Sequence, residues 1–195
     1  MIILDPGHGK ETKGKRSPIW NDGSQLFEYE FNRSIVKRIK DILHLHNISC
    51  HVLVDNLEDV SLTDRVVMAN VFGKNNLLIS VHANAGGGTG CEFFTSKGET
   101  KSDKIVTVFG EEYKKEFPDE KLRTDYSDGD LDKEANFTII SKTIMPAVLT
   151  ENFFMDTERE CRQILMTNYG REKIANYHVK AILRVYKMFP ELFKK

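Results

Sequence analysis

Short apolar runs alternate along the chain with apolar residues spaced three and four apart. Ile2-Ile3-Leu4 reads as a buried strand that enters a turn-rich loop from Pro6 to about Gly23. Phe31, Ile35, Ile39, Ile42 and Leu45 then recur at helical spacing, so one face of an amphipathic helix is apolar. Residues 48–54 are β-rich and read as a strand. Ser61 is placed to cap a helix whose inner face is Leu62, Val66, Ala69 and Phe72, ending near Gly73. Residues 77–81 form a second apolar strand that ends at His82, and the glycine cluster Gly86–Gly90 leads into a strand over 91–95. Ser102 is the expected cap of a helix with Ile105, Val108, Phe109 and Tyr113 inward, and Pro118 lies just past its end. Residues 118–134 are polar and charged and read as an exposed excursion; 135–145 read as helical. Residues 147–150 form a buried strand that delivers Glu151. Thr157 and Glu160 match a capping box opening a short helix through Leu165. After Gly170, the residues Ile174, Tyr177, His178, Ala181, Ile182 and Val185 make the last helical stripe.

This alternation implies an α/β fold: a single domain over residues 1–195, with a twisted, mostly parallel sheet of about six strands and helices on both faces. Three residues with useful chemistry, His8, His82 and Glu151, directly follow strands. Ligands of open α/β sheets bind beyond the carboxyl ends of the strands, so that placement is the first functional clue.

Charge narrows the partners. With 28 basic and 29 acidic side chains the net charge is -1, and a nucleic-acid binder is expected to carry a basic excess. Cys50, Cys91 and Cys161 form no CxxC pair, which suggests free thiols rather than a disulfide framework or a cysteine metal site. No apolar stretch approaches the roughly 20 residues of a membrane helix, and no basic segment with a long apolar run opens the chain. The expectation is a monomer without membrane insertion, synthesised in the cytoplasm without a signal peptide.

His8 sits between glycines in Pro6-Gly7-His8-Gly9, a tight open loop that can turn an imidazole toward a ligand. Glu28 opens the first long helix, where the helix dipole favours a carboxylate. Glu151 lies between Val148-Leu149-Thr150 and Asn152-Phe153-Phe154, and a carboxylate in apolar surroundings is costly without a partner or a task. Two histidines and one carboxylate make a complete catalytic zinc set, with a fourth position left open. A further carboxylate can act as the acid/base. Composition alone does not select these four, because the ligands are scattered from residue 8 to residue 82.

The order of the motifs does select them. Asp5-Pro6-Gly7-His8-Gly9, Glu28-Tyr29-Glu30-Phe31-Asn32, Ser61-Leu62 through Arg65 to Ala69-Asn70, Ser80-Val81-His82-Ala83-Asn84, and Met145 through Asn152 with Phe154-Met155 together resemble the zinc-dependent N-acetylmuramoyl-L-alanine amidases of the Amidase_3 type. The resemblance runs in order from residue 2 to about residue 185. It implies a phosphorylase/hydrolase-like fold, one Zn2+ held by His8, Glu28 and His82, and Glu151 as the catalytic acid/base. It also implies a peptidoglycan substrate, cleaved at the amide between N-acetylmuramic acid and L-alanine. Asp5 and Asn84 are candidates for fixing the histidine tautomers. Lys10, Tyr29, Thr150 and Asn152 depart from residues common in the family and bear on substrate fit. The missing leader suits a phage or prophage lysin better than a secreted autolysin.

Two other readings remain: a zinc peptidase or amidase of the same fold acting on another amide, and a wall-binding protein without turnover. Individual residues also have plainer explanations. Glu30 rivals Glu28, and the register with Asn32 favours Glu28. His44 and His46, two apart near a helix end, share no face and make a poor metal pair. His51 reads as structural and His178 as partly packed. Gly86–Gly90 is no P-loop, since no Gly-Lys-Ser/Thr follows. Asp125, Asp128, Asp130, Asp132 and Glu134 suggest calcium, but Lys133 occupies the position where an EF-hand counted from Asp128 needs glycine. A solvated acidic loop bordering the substrate groove is the expectation there.

Overall fold

The apolar run Ile2–Pro6 (β1) is buried at every position and lies between two parallel neighbours, β2 (Cys50–Val52) and β3 (Leu77–Asn84). Continuous burial of this kind marks strands covered on both faces. In this computed structural model, which describes residues 1–127 and 129–194, the sheet continues with β7 (Ala147–Phe154), parallel to β3. Then comes β4 (Cys91–Thr95), antiparallel to β7. Two short strands, β5 (Leu122–Arg123) and β6 (Lys133–Glu134), both pair parallel with β4. The order is β2-β1-β3-β7-β4-β5 with β6 beside β4, seven strands where about six were expected.

Side-chain parity sorts the core into two layers. Ile2, Leu4, Leu77, Ile79, Val81 and Val148 face α1 (Glu28–Leu45), α3 (Lys101–Glu116) and α6 (Asn168–Met188). Ile3, Leu78, Ala147 and Leu149 face the smaller α2 (Leu62–Asn70) and α4 (Thr138–Ser141). Helices therefore cover both faces, as the alternation of patterns required. Among the described residues no helix is long and apolar enough to cross a membrane.

Several local expectations change for identifiable reasons. Ser61 caps α2, accepting the Asp64 N–H at 3.1 Å. The cap of α3 is Thr100, not Ser102: Thr100 Oγ1 accepts from Ser102 N, and Asp103 returns a bond to Thr100 N. Ser102 is buried instead, and its Oγ accepts the Ala147 N–H at 3.1 Å, tying the helix to β7. Only one turn of helix forms over 135–145, because the chain must straighten through Pro146 into β7. Thr157 and Glu160 do not make a capping box. Thr157 Oγ1 donates to the Gly88 carbonyl at 2.6 Å, and Glu160 accepts the N–H groups of Gly90 and Phe154, each at 2.8 Å. Both side chains thus hold the glycine loop to the end of β7, and the single turn α5 (Glu158–Glu160) runs into a π-helical turn over Cys161–Leu165.

The stretch 118–134 is not simply solvated, since it supplies β5 and β6 and buries Leu131 and Asp132. Asp132, 2 % exposed, accepts from Thr95 Oγ1 and lies beside Asp130 and Asp103. Burial, reinforced by the neighbouring Asp130 charge, pushes its carboxyl well above the usual range. Asp128, counted above among the acidic residues, lies outside the described residues.

Candidate metal centre and active site

The loop after β1 is shaped by what cannot fit. A Cβ on Gly7 would lie 2.0 Å from His82 Cε1, and one on Gly9 would lie 2.3 Å from the Asp59 backbone nitrogen. His8 between them adopts a left-handed backbone, φ 61°, which directs its ring inward against the His82 ring, edge-on with centroids 4.9 Å apart.

Glu28 is the first residue of α1 and only 1 % exposed. Asn32, one turn later, donates to the Gly7 carbonyl at 3.0 Å and fastens the helix start to the loop. Glu28 Oε1 accepts the Ala83 N–H at 3.3 Å, and it stands 3.1 Å from His82 Nδ1 and 3.3 Å from His8 Nε2. Among the described residues Glu28 Oε2 has no hydrogen-bond partner, and Lys15 Nζ is 3.9 Å away. Burial opposes ionisation of Glu28, but the two histidines outweigh it and hold the carboxyl well below the usual range. Glu30, the rival, is exposed and pairs with Arg171 at 2.8 Å.

A buried chain of bonds decides which nitrogen of His82 carries its proton. Arg65, 2 % exposed, donates to Asp5 Oδ1 at 2.5 Å and to the Pro6 and His8 carbonyls at 2.8 and 3.1 Å. Asp5 Oδ2 accepts the Ser80 hydroxyl at 2.7 Å. With its hydrogen committed to Asp5, Ser80 Oγ is an acceptor toward His82 Nε2 at 3.2 Å. Nε2 therefore carries the proton, and Nδ1 turns a lone pair toward Glu28. A lone pair facing a carboxylate oxygen at 3.1 Å is repulsive unless a second proton or a metal cation sits between them. His8 Nε2, also buried without a hydrogen-bond partner among the described residues, completes a set of three potential ligand atoms within 4.8 Å of one another. This donor set fits a zinc ion, which takes imidazole nitrogen and carboxylate oxygen together.

Glu151 lies opposite His82 across the β3–β7 pairing and opposite Glu92 across β4–β7. Its Oε2 is buried and has no hydrogen-bond partner among the described residues. Burial pushes its pKa up to about 7, against the nearby His82 and with Glu28. The next residue, Asn152, braces the strand: its Nδ2 donates to the His82 carbonyl at 2.9 Å and to Thr150 Oγ1 at 3.1 Å, and Tyr177 donates to its Oδ1. Thr150 Oγ1 in turn meets His178 Nε2 at 3.1 Å. Phe153 follows with a left-handed backbone, φ 59°, where the β3–β7 register slips between His82 and Asn84.

The structure thus brings His8, Glu28, His82 and Glu151 together, with Asp5 reaching His82 through Ser80. Among the described residues Asn84 makes no side-chain hydrogen bond to a histidine; it donates to Glu92 Oε1 at 2.5 Å. His178 is fully buried rather than partly packed, and His51 lies exposed against Phe72. Sequence reasoning gave Arg65 and Ser80 no role. The available signal was an arginine on the inner stripe of α2 beside Val66 and Ala69, where only a buried acid can justify it.

Comparison with known proteins identifies the family. A family model described as N-acetylmuramoyl-L-alanine amidase matches residues 2–184. The N-acetylmuramoyl-L-alanine amidase CwlM of Bacillus licheniformis is 30% identical over 188 residues, covering 96% of this chain and 69% of that protein. The endolysin of Bacillus phage SPP1 is 27% identical over 191 residues, covering 95% of this chain and 65% of that protein. The crystal structure of an N-acetylmuramoyl-L-alanine amidase from Clostridium difficile 630 superposes with a TM-score of 0.82 at 24% identity, over 95% of this chain and 96% of that one, and shares the fold. The chain belongs to the N-acetylmuramoyl-L-alanine amidase family and is a peptidoglycan amidase.

Proposed function

We propose that this amidase is zinc-dependent, with His8, Glu28 and His82 as the metal ligands and Glu151 as the acid/base that cleaves the amide between N-acetylmuramic acid and L-alanine. The observation that carries the reading is the convergence of one nitrogen each from His8 and His82 with the buried Glu28 carboxylate, all within 4.8 Å of one another. Zinc supplies Lewis acidity, which polarises a carbonyl and makes a water molecule easier to deprotonate.

The protein's own groups account for the proton traffic. An amine leaves an amide poorly unless it is protonated, so the catalyst must take a proton from the attacking water and return it to nitrogen. Glu151 Oε2, unpaired and with a pKa raised to about 7 by burial, can do both near neutral pH. Asn152 and Tyr177 hold its strand, while Arg65, Asp5 and Ser80 hold His82 in the tautomer that binds. Cell-wall action follows from the substrate, in keeping with relatives that include an endolysin.

The test is mass spectrometry of products from purified peptidoglycan treated with zinc-loaded protein, chelated protein and Glu151→Gln. Stem peptides with a free L-alanine amino terminus, seen only with the zinc-loaded wild type, are expected. A general acid/base of this kind contributes about 100- to 10,000-fold, so Glu151→Gln activity within a few-fold of wild type would remove Glu151 from the mechanism. Cuts inside the stem peptide would move the substrate to another amide, and full activity after chelation would end the zinc assignment.

A further inference from the structure

Beside Glu151 lies a group of charges that the proposed mechanism leaves unused. Glu92, buried on β4 directly opposite Glu151, collects three donors: Asn84 Nδ2 on Oε1, and Arg123 Nε at 2.8 Å with Lys133 Nζ on Oε2. Burial raises the Glu92 pKa, but Lys133, Arg123 and Asn84 together overcome it, so the carboxylate is charged. Two cations thus share the one Glu92 carboxylate. The two cationic side chains are the more open partners, 30% and 27% exposed against 8% for Glu92.

Arg123 is also fixed in orientation. Its guanidinium lies over the Phe154 ring, 5.2 Å from the centroid, and only Nε is used by Glu92. Among the described residues neither terminal nitrogen makes a hydrogen bond. A guanidinium held on one edge by a carboxylate and on one face by an aromatic ring presents a rigid two-nitrogen fork to solvent, a geometry that matches a carboxylate. The fork stands close to Glu151. Opposed residues on adjacent antiparallel strands are about 5 Å apart at Cβ, and the guanidinium lies one side-chain contact farther on. An extended peptide advances about 3.5 Å per residue, so the fork meets a group one or two residues from the scissile amide.

We propose that Arg123, backed by Lys133, is an anion subsite that binds a free carboxylate of the stem peptide one or two residues beyond the cleaved bond. The position relative to the bond rests on Glu151 being the acid/base; the carboxylate site itself does not.

Two probes separate these points: N-acetylmuramoyl-L-alanyl-γ-D-glutamyl-L-lysine with a free α-carboxylate on glutamate, and the same molecule with that group amidated. The readout is the ratio of kcat/KM for acid over amide, with wild type, Arg123→Ala and Arg123→Lys, the last keeping a charge on Glu92. Calorimetric titration of both probes into Glu151→Gln, with and without Arg123→Ala, measures the same preference without turnover. A charge-assisted pair lost from a partly buried site costs about 10- to 100-fold. The wild type is expected to prefer the acid by that factor, Arg123→Ala to lose the preference, and Arg123→Lys to keep part of it. No preference in the wild type, or an equal preference in Arg123→Ala, would overturn the proposal. A Glu151→Gln protein that still turns over both probes would refute the acid/base reading, while its binding preference still decides the subsite.

Discussion

His178 offers the sharpest quantitative test of the buried polar network. Its ring is fully buried between Tyr177 and Phe109, and Nδ1 donates to the Ile174 carbonyl at 2.8 Å while Nε2 faces the Thr150 hydroxyl. The Ile174 bond helps the charged form only a little, and burial lowers the pKa to about 4 from an ordinary 6.5. The unfolded chain therefore binds this proton more readily than the native one, so stability is intact above pH 6.5 and is lost as pH falls toward 4. The lowering corresponds to roughly 3 kcal/mol in full. Between pH 7 and pH 5 the share lost is about 2 kcal/mol. His178→Gln is the comparison, because an amide can make the same two bonds without titrating. Urea unfolding of both metal-free proteins at the two pH values lets every other titrating group cancel. The wild type should lose about 2 kcal/mol more than the variant on going from pH 7 to pH 5. If the two lose equal amounts, His178 is either already charged in the native state or less buried than its packing against Phe109 of α3 and Thr150 of β7 indicates.

Two other substitutions test different parts of the molecule. Ser80→Ala removes the acceptor that fixes the His82 tautomer, and zinc affinity measured by competition with a chelating dye should fall about 10- to 100-fold; an unchanged affinity would show that the Arg65–Asp5–Ser80 chain is merely structural. Asp132 is shifted the opposite way from His178: its raised pKa means that stability is lost as pH rises through the unfolded and then the folded value. Asp132→Asn should therefore melt at a higher temperature than wild type at pH 8 and lose that advantage near pH 4, and a lower melting temperature at pH 8 would refute the argument.

The sheet was readable because its strands are buried on both faces, which leaves uninterrupted apolar runs such as Ile2–Leu4 and Leu77–Ile79. Of the four residues proposed for the site, His8 and Glu151 stand out locally, as a histidine between glycines and a glutamate inside an apolar strand, whereas Glu28 and His82 were picked out by the order of the motifs rather than by their surroundings. Bonds that depend on three-dimensional meeting left no local trace. Ser102 looks like a cap because serine caps helices, yet its hydroxyl is spent on Ala147. Thr157 and Glu160 have capping-box spacing, but Gly88, Gly90 and Phe154 compete for them and win. The acidic run before β6 looked solvated because nothing in its sequence reveals that Thr95 and the start of α3 close over Asp132. Arg123 and Lys133 belong to strands of two residues each, too short for any periodicity to register.

Two non-glycine residues with left-handed backbones, His8 and Phe153, bracket the site. L-residues there sacrifice about 1 to 2 kcal/mol that glycine would not. At residue 8, glycine would relax the loop while deleting a nitrogen of the proposed metal site, so under that proposal ease of folding and readiness to bind metal pull in opposite directions at a single codon. A population of variants screened only for thermal resilience without metal would drift toward losing His8, whereas one screened for wall cleavage would hold it despite the strain. The strained corner thus marks where selection for chemistry can be told apart from selection for endurance.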